Sequence, residues 1–142
     1  MSDPAHCPFC KIAHGALPAV KVYEDERTLA FMDIRPASPG HLLVISKAHA
    51  VDLLQISEAD LGAVTQVTQR LARAARQAFA ADGIRISQFN GSAAGQTVFH
   101  YHVHVVPMWQ GQRAAAHGRE VVAPEQLEAQ AAQLRAALQD TV

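Results

Sequence analysis

What the sequence lacks narrows its function first. No apolar run approaches the roughly 18 residues needed to span a bilayer, and the opening MSDPAHCPFC has no basic segment followed by an apolar one. The chain is therefore expected to be cytoplasmic and without a membrane partner. An excess of one charge is also missing: twelve basic residues stand against thirteen acidic ones, a formal net charge of −1. That leaves no broad electrostatic footprint for nucleic acid, so any recognition of phosphate has to be local. Cysteine is scarce, and Cys7 and Cys10 form one C-x-x-C pair. In a reducing compartment such a pair is more often half of a metal site or a redox couple than a structural disulfide. The redox reading expects a strand directly before the pair, and nothing upstream of Cys7 is long enough to supply it.

What is present is 142 residues, 49% hydrophobic, enough for one globular domain with a real core. Val20–Tyr23 and Thr28–Met32 flank a polar turn and predict a β-hairpin. A loop of turn formers, Asp33–Gly40, leads into His41–Ser46, whose Leu-Leu-Val-Ile centre suits a buried strand. Ser57 with Asp60 resembles a capping box, and Leu61, Val64, Thr68, Leu71, Ala75 and Ala78 recur at helical spacing. That helix is expected to stop near Asp82-Gly83, where glycine accepts the left-handed conformation. Ile84–Phe89 predicts a further strand. A second helix opens at Pro124 with Leu127, Ala131, Leu134 and Leu138 on one stripe. The fold class is α+β: about five strands in a largely antiparallel sheet, one long central helix and a C-terminal helix.

The segment FHYHVHVV, residues 99–106, places His100, His102 and His104 at alternate positions. In a strand they share one face, with Phe99, Tyr101, Val103 and Val105 on the other, toward the core. Pro107 is expected to end the pairing, because it has no backbone donor. Same-face neighbours lie about 6.6 Å apart, which separates His100 from His104 by about 13 Å. Three rings so spaced cannot ligate one ion at about 2 Å, so the three must divide their labour. A single strand histidine is usually structural, whereas three in register spend packing area on a residue of weak strand preference.

One share of that labour is metal binding. Cys7 and Cys10 offer two thiolates, and a closed tetrahedral zinc site needs two more ligands. The candidates are His6, His14, His49, His100 and His117. His6 adjoins Cys7 and would strain the site, and spacing does not choose among the rest. The other share is nucleophilic. His102 is central, and a neutral imidazole with a pKa near 6.5 is a nucleophile at neutral pH, with phosphorus its natural electrophile. The loop GSAAGQT, residues 91–97, is placed to turn backbone N–H groups toward phosphate oxygens.

These residues resemble the histidine-triad family. HYHVHVV fits the pattern His-φ-His-φ-His-φ-φ. CPFCKI, KVYEDERTLAFMDIRPASPGHLLVISKAH and FNGSAAGQTVFHYHVHVVP are similar to members of its bacterial branch, over roughly residues 7–109. The resemblance implies a histidine-triad-like fold over 1–142. Residues 1–15 would be a zinc-tethered segment and 110–142 a C-terminal loop and helix, the latter a departure from shorter members. It implies hydrolysis or transfer of a nucleotidyl group through a covalent intermediate on His102. His104 would bind the phosphate region, His41 would help orient the nucleophile, and Gln96 and Thr97 would contact phosphate or pass a proton to the leaving group. Many relatives have serine where Thr97 stands; the hydroxyl is kept. For the nucleoside, it implies Asp33 on the ribose, a base wall of Phe9, Ile12, Phe31 and Ile34, and contacts from Asn90, Gly95 and Val98. It completes the zinc site with His49 and His100, as a structural ion with no catalytic metal, and implies a homodimer acting on a purine nucleotide or its conjugates. Two other readings are a non-catalytic nucleotide-binding adaptor and a hydrolase in which two triad histidines hold a catalytic zinc.

Overall fold

A computed structural model describes residues 4–113 and 120–140. His117 and the 114–119 part of the C-terminal tail lie outside the described residues. A short helix α1 (Pro8–Ala13) precedes a hairpin of β1 (Lys21–Glu24) and β2 (Thr28–Met32). Asp25 closes that hairpin, its Oδ1 accepting the N–H groups of Arg27 and Thr28 at 2.9 and 2.8 Å, as short acidic side chains do in turns. There follow β3 (Leu42–Ser46), the long helix α2 (Glu58–Ala78), β4 (Gly83–Ser87), β5 (His102–Met108) and α3 (Pro124–Asp140). The sheet order is β1-β2-β3-β5-β4, with every neighbour antiparallel. Thus β5, the last strand made, fills the gap between β3 and β4. No helix among the described residues is long and apolar enough to cross a membrane.

Every residue of β2 and β3 is buried, because the sheet is covered on both faces. Ala30, Met32, Leu42, Val44, Val103 and Val105 pack with α2 and α3, the latter through Leu127, Ala131, Leu134 and Leu138. The alternate positions Leu29, Phe31, Leu43 and Ile45 point the other way and pack with Phe9, Ile12 and both cysteines of the N-terminal segment. Period-two alternation therefore assigns His102 and His104 to this second face, opposite Ile45 and Leu43 in the ladder.

Three local expectations are corrected. The histidine strand is shifted: β5 begins at His102, so Phe99 and His100 precede the ladder, and the N–H of Tyr101 donates to the Ala50 carbonyl at 2.7 Å. Pro107 does not end the pairing, since it lies opposite Ile84 within β5. Its missing N–H falls on the side where β3 has already stopped at Leu42, and there its carbonyl accepts the Ser38 hydroxyl at 2.7 Å. No ladder bond is lost. Helix α2, capped by the Ser57 hydroxyl on Asp60 N–H at 3.1 Å, ends four residues before Asp82. The left-handed residue is Ala80, at φ +49°, with the Ala81 N–H closing on the Arg76 carbonyl at 3.1 Å. Gly83 instead starts β4.

Glycine is required at position 40, immediately before His41. Its φ is +87°, and a Cβ there would lie 2.4 Å from the Phe79 ring. Gly40→Ala is expected to lower stability by about 1–3 kcal/mol through left-handed strain and this clash, read as a lower urea midpoint at unchanged slope.

Candidate active site

Two clusters of polar side chains form on the second sheet face, one at each end of the histidine row. The first is built by the N-terminal turn. Cys7 is the N-cap of α1 and Pro8 its first residue, and the Cys7 sulfur accepts the Cys10 N–H at 3.3 Å. This brings both sulfurs to the start of the helix. Facing them are His100 Nδ1, 3.3 Å from Cys7 Sγ and 3.5 Å from Cys10 Sγ, and His49 Nδ1, 3.2 Å from Cys10 Sγ. The four donor atoms lie within 4.8 Å of one another. Sulfur and nitrogen ligands at about 2.3 and 2.0 Å from one tetrahedral ion sit about 3.5 Å apart, so the spacing fits zinc.

The chemistry of the donors fits as well. His100 Nε2 lies 2.6 Å from the Ser46 carbonyl, which can only accept. The ring proton is therefore on Nε2, and the Nδ1 lone pair is aimed at the sulfurs, the outer hydrogen bond typical of a ligating histidine. Burial, helped by the neighbouring Cys7 sulfur, pushes the Cys10 thiol up to about 12. The Cys10 thiolate thus needs a cation beside it to exist. Burial likewise holds His100 down at about 4, against the pull of the Ser46 hydrogen bond.

The second cluster is Asp33, His41 and His104, all buried. The Ala37 N–H points at His41 Nδ1 at 2.9 Å. A backbone N–H only donates, so Nδ1 accepts and the His41 proton is on Nε2. That proton goes to His104 Nδ1, 3.0 Å away, with Asp33 Oδ2 at 3.5 Å from the same nitrogen. His104 in turn carries its proton on Nε2. His41 and His104 form a hydrogen-bonded pair with Asp33 beside it rather than a cation cage, because a neutral His41 with Nδ1 accepting has no lone pair left on Nε2 to give a metal.

His102 stands between the clusters. Its Nδ1 lies 2.7 Å from the His100 carbonyl, so Nδ1 is protonated and the lone pair resides on Nε2. Its ring packs edge-on against Phe9, at 5.1 Å and 88°, and 5.1 Å from the His104 ring. His41 touches His104, and it is the His100 carbonyl that orients the central ring.

His102 and His104 open onto a cleft of about 510 Å³, within the usual range for small-molecule sites. Phe9, Ile12, Phe31, Asp33, Ile34, Thr97 and Val98 line it too; Ile34, 55% exposed, stands at its rim. Asn90, Gly95, Gln96 and His41 do not line it. Asn90 accepts the Leu53 N–H at 2.8 Å and pairs with Gln88. Gln96 is buried, and both its amide protons are spent on the Val51 and Val98 carbonyls at 2.7 and 3.1 Å, while its Oε1 accepts the Gly91 N–H. Nor does the whole of loop 91–97 offer amides to a ligand. The N–H groups of Ala94, Gly95 and Gln96 close the loop on the carbonyls of Gly91 and Ser92, each at 3.0 Å. Sequence reasoning missed Leu17, Pro18, Ala19 and Arg35, which also line the cleft. Their only local signal is a proline in the loop after α1 and a cation two residues past Asp33.

The HIT domain profile matches residues 14–111. An uncharacterised HIT-like protein of Mycobacterium tuberculosis is 46% identical over 107 residues, 75% of this chain and 74% of that one. The adenylylsulfatase HINT3 of Arabidopsis thaliana is 33% identical over 78% of this chain and 59% of its own length. Among solved structures, a HIT-like protein of Bartonella henselae superposes with TM-score 0.92 at 39% identity, covering 96% of this chain and 99% of that one. A zinc-bound histidine triad family protein of Mycobacterium smegmatis superposes at 0.86 and 42% identity, covering 97% and 96%.

The depressed His100 pKa sets a pH dependence. In the unfolded chain this ring binds a proton near pH 6.5, in the folded chain only near 4. The unfolded state then holds more protons between those values, so stability falls as pH drops through that window, by about 3 kcal/mol in total. The check is urea midpoints from pH 7 to 4 on metal-free protein, with His100 imidazole NMR shifts expected to stay neutral at pH 5.

Proposed function

The chain belongs to the HIT domain family, and from that premise we propose that it cleaves nucleoside phosphoramidates or nucleoside polyphosphates at the α-phosphorus, through a nucleotide bound covalently to His102. The observation that carries the reading is the 2.7 Å hydrogen bond from His102 Nδ1 to the His100 carbonyl, on a ring that lines the cleft. It leaves the nucleophilic lone pair on Nε2 without any need for deprotonation.

In the first step Nε2 forms a bond to phosphorus in line with the departing group. The bond from phosphorus to the leaving nitrogen or oxygen breaks, and its electron pair leaves with that atom, which takes a proton. In the second step water attacks from the vacated side, the pair of the N–P bond returns to Nε2, and the water's proton passes to the Thr97 oxygen, restoring its hydroxyl. Splitting the displacement gives each half its own in-line nucleophile. His104, with its proton on Nε2, donates to a non-bridging phosphate oxygen, and the relay from His41 holds it in that tautomer. This is electrostatic stabilisation by a donor positioned before the reaction begins. The Thr97 hydroxyl, exposed on the cleft wall, is the group assigned to protonate the leaving atom. Gln96 acts through the loop it braces, and Asn90 likewise from behind the wall. The base lies between Phe9, Ile12, Phe31 and Ile34, with Val98 completing the wall and the Asp33 carboxylate facing the ribose. The apolar character of this wall supports a purine. Gly95 serves the loop turn, at φ +101°. The homodimer expected from the resemblance is retained in this reading.

Cys7, Cys10, His49 and His100 would hold zinc in a closed site with four protein ligands, and the ion supplies cross-linking rather than a reacting position. The donor spacing and the zinc-bound relative support this.

His102→Ala is expected to cut turnover of adenosine 5′-phosphoramidate by about 10⁴-fold or more while the far-UV spectrum is unchanged, and acid quenching should trap no nucleotidylated chain; near-normal turnover would refute the assignment. Cys10→Ser should reduce metal content well below the one zinc per chain expected of wild type by atomic absorption, and lower the melting temperature.

A further inference from the structure

The geometry points to a second role for the Cys7, Cys10, His49 and His100 set: it is a positioning device for His102, because the residues that would hold the metal also carry two of the supports of that ring. The inference rests on the reading of His102 as nucleophile.

The two supports differ in kind. One is polar, the His100 carbonyl that accepts Nδ1–H at 2.7 Å. The other is the Phe9 ring, which meets the imidazole edge-on at 5.1 Å. The sheet holds each only in part: Ser46 of β3 accepts from the His100 ring, Tyr101 N–H donates to Ala50 in the next peptide, and Phe9 packs on Phe31. His100 precedes the β5 ladder, and its ring is held by Ser46 on one side and by the two sulfurs on the other. Phe9 sits between the two cysteines on a six-residue helix whose N-cap is the Cys7 sulfur. A helix that short has no stability of its own in water. Apart from the donor cluster, the packing of Phe9 and Ile12 against Leu29, Phe31, Leu43 and Ile45 holds it down.

The opposite face tells what survives when the cluster is loosened. The core of α2, α3, Ala30, Met32, Leu42, Val44, Val103 and Val105 includes none of the four donor residues. The chain without its metal therefore keeps its sheet and long helices, and the two contacts on His102 lose the part of their support that the donor set supplies. A neutral imidazole released into water favours the tautomer with the proton on Nε2, the atom that has to attack. The same release moves Phe9 and Ile12, two walls of the cleft. A metal serving stability alone would change how much protein is folded, and would leave each folded molecule's nucleophile and cleft as they were.

The test uses the full chain, ¹⁵N-labelled at histidine, with zinc removed by a chelator and then restored. In protein whose far-UV spectrum is unchanged, removal should move the His102 proton from Nδ1 toward Nε2 in the ring ¹⁵N shifts and weaken AMP binding at least tenfold by calorimetry. One equivalent of Zn²⁺ should reverse both. Folded, metal-free protein with the Nδ1–H tautomer and the original AMP affinity would overturn the inference. If chelation unfolds the chain, zinc-loaded Phe9→Leu decides. It should keep its metal, show the altered tautomer balance and lose at least tenfold in kcat on adenosine 5′-phosphoramidate, and wild-type kcat with the wild-type tautomer would count equally against the proposal. A zinc-loaded wild type that neither binds AMP nor turns over the phosphoramidate would defeat the nucleotide reading, and the ring shifts would still report on the coupling.

Discussion

A buried neutral imidazole has one proton and two nitrogens, and the structure turns on where backbone groups send that proton. The Ser46 carbonyl draws it to Nε2 of His100, the His100 carbonyl draws it to Nδ1 of His102, and the Ala37 amide excludes it from Nδ1 of His41. Each assignment follows from a partner that can only accept or only donate. From these three contacts come a lone pair facing sulfur, another on the ring that lines the cleft and a ring N–H beside it. The side chains are of one type, and their different chemistry is written in the main chain around them.

That arrangement needs the sheet to be covered on both faces. A strand with one wet face would leave the histidines hydrated and their tautomers mobile. Here the helices seal one face and the N-terminal segment seals part of the other, and the ring protons of His100, His102 and His41 each go to a protein acceptor. Burial also keeps His100 neutral, as a ligand must be. The N-terminal segment thus does two things at once: it dries the histidine row and supplies two of the four sulfur and nitrogen donors.

Much of this was legible in the sequence because it rests on short-period patterns. Alternation in LLVIS and HYHVHVV, a serine cap before an apolar stripe, and proline at the start of the last helix all report local geometry directly. The five antiparallel strands and two long helices follow from them. What escaped depends on contacts between distant segments. Ala80 takes the left-handed turn in place of Gly83 because α2 ends early, where the chain must turn into a strand opposite Met108. Pro107 continues the strand because β3 is one step too short to need its N–H. Gln96 turns inward since Val51, far away in sequence, offers it a carbonyl. Arg35 reaches the cleft by way of a loop whose course no local pattern encodes.

The strand order carries a consequence for biosynthesis. The β3 and β4 strands are separated by a slot that only β5 fills, and β5 emerges from the ribosome after both. Until residue 108 is available, the edges of β3 and β4 on either side of that slot are unpaired, and that of β3 is hydrophobic. Open edges of this kind invite pairing with other chains. A nascent or truncated chain stopping short of the histidine row is therefore a sticky one, and the segment that bears the histidines is also the one that closes the molecule against its neighbours.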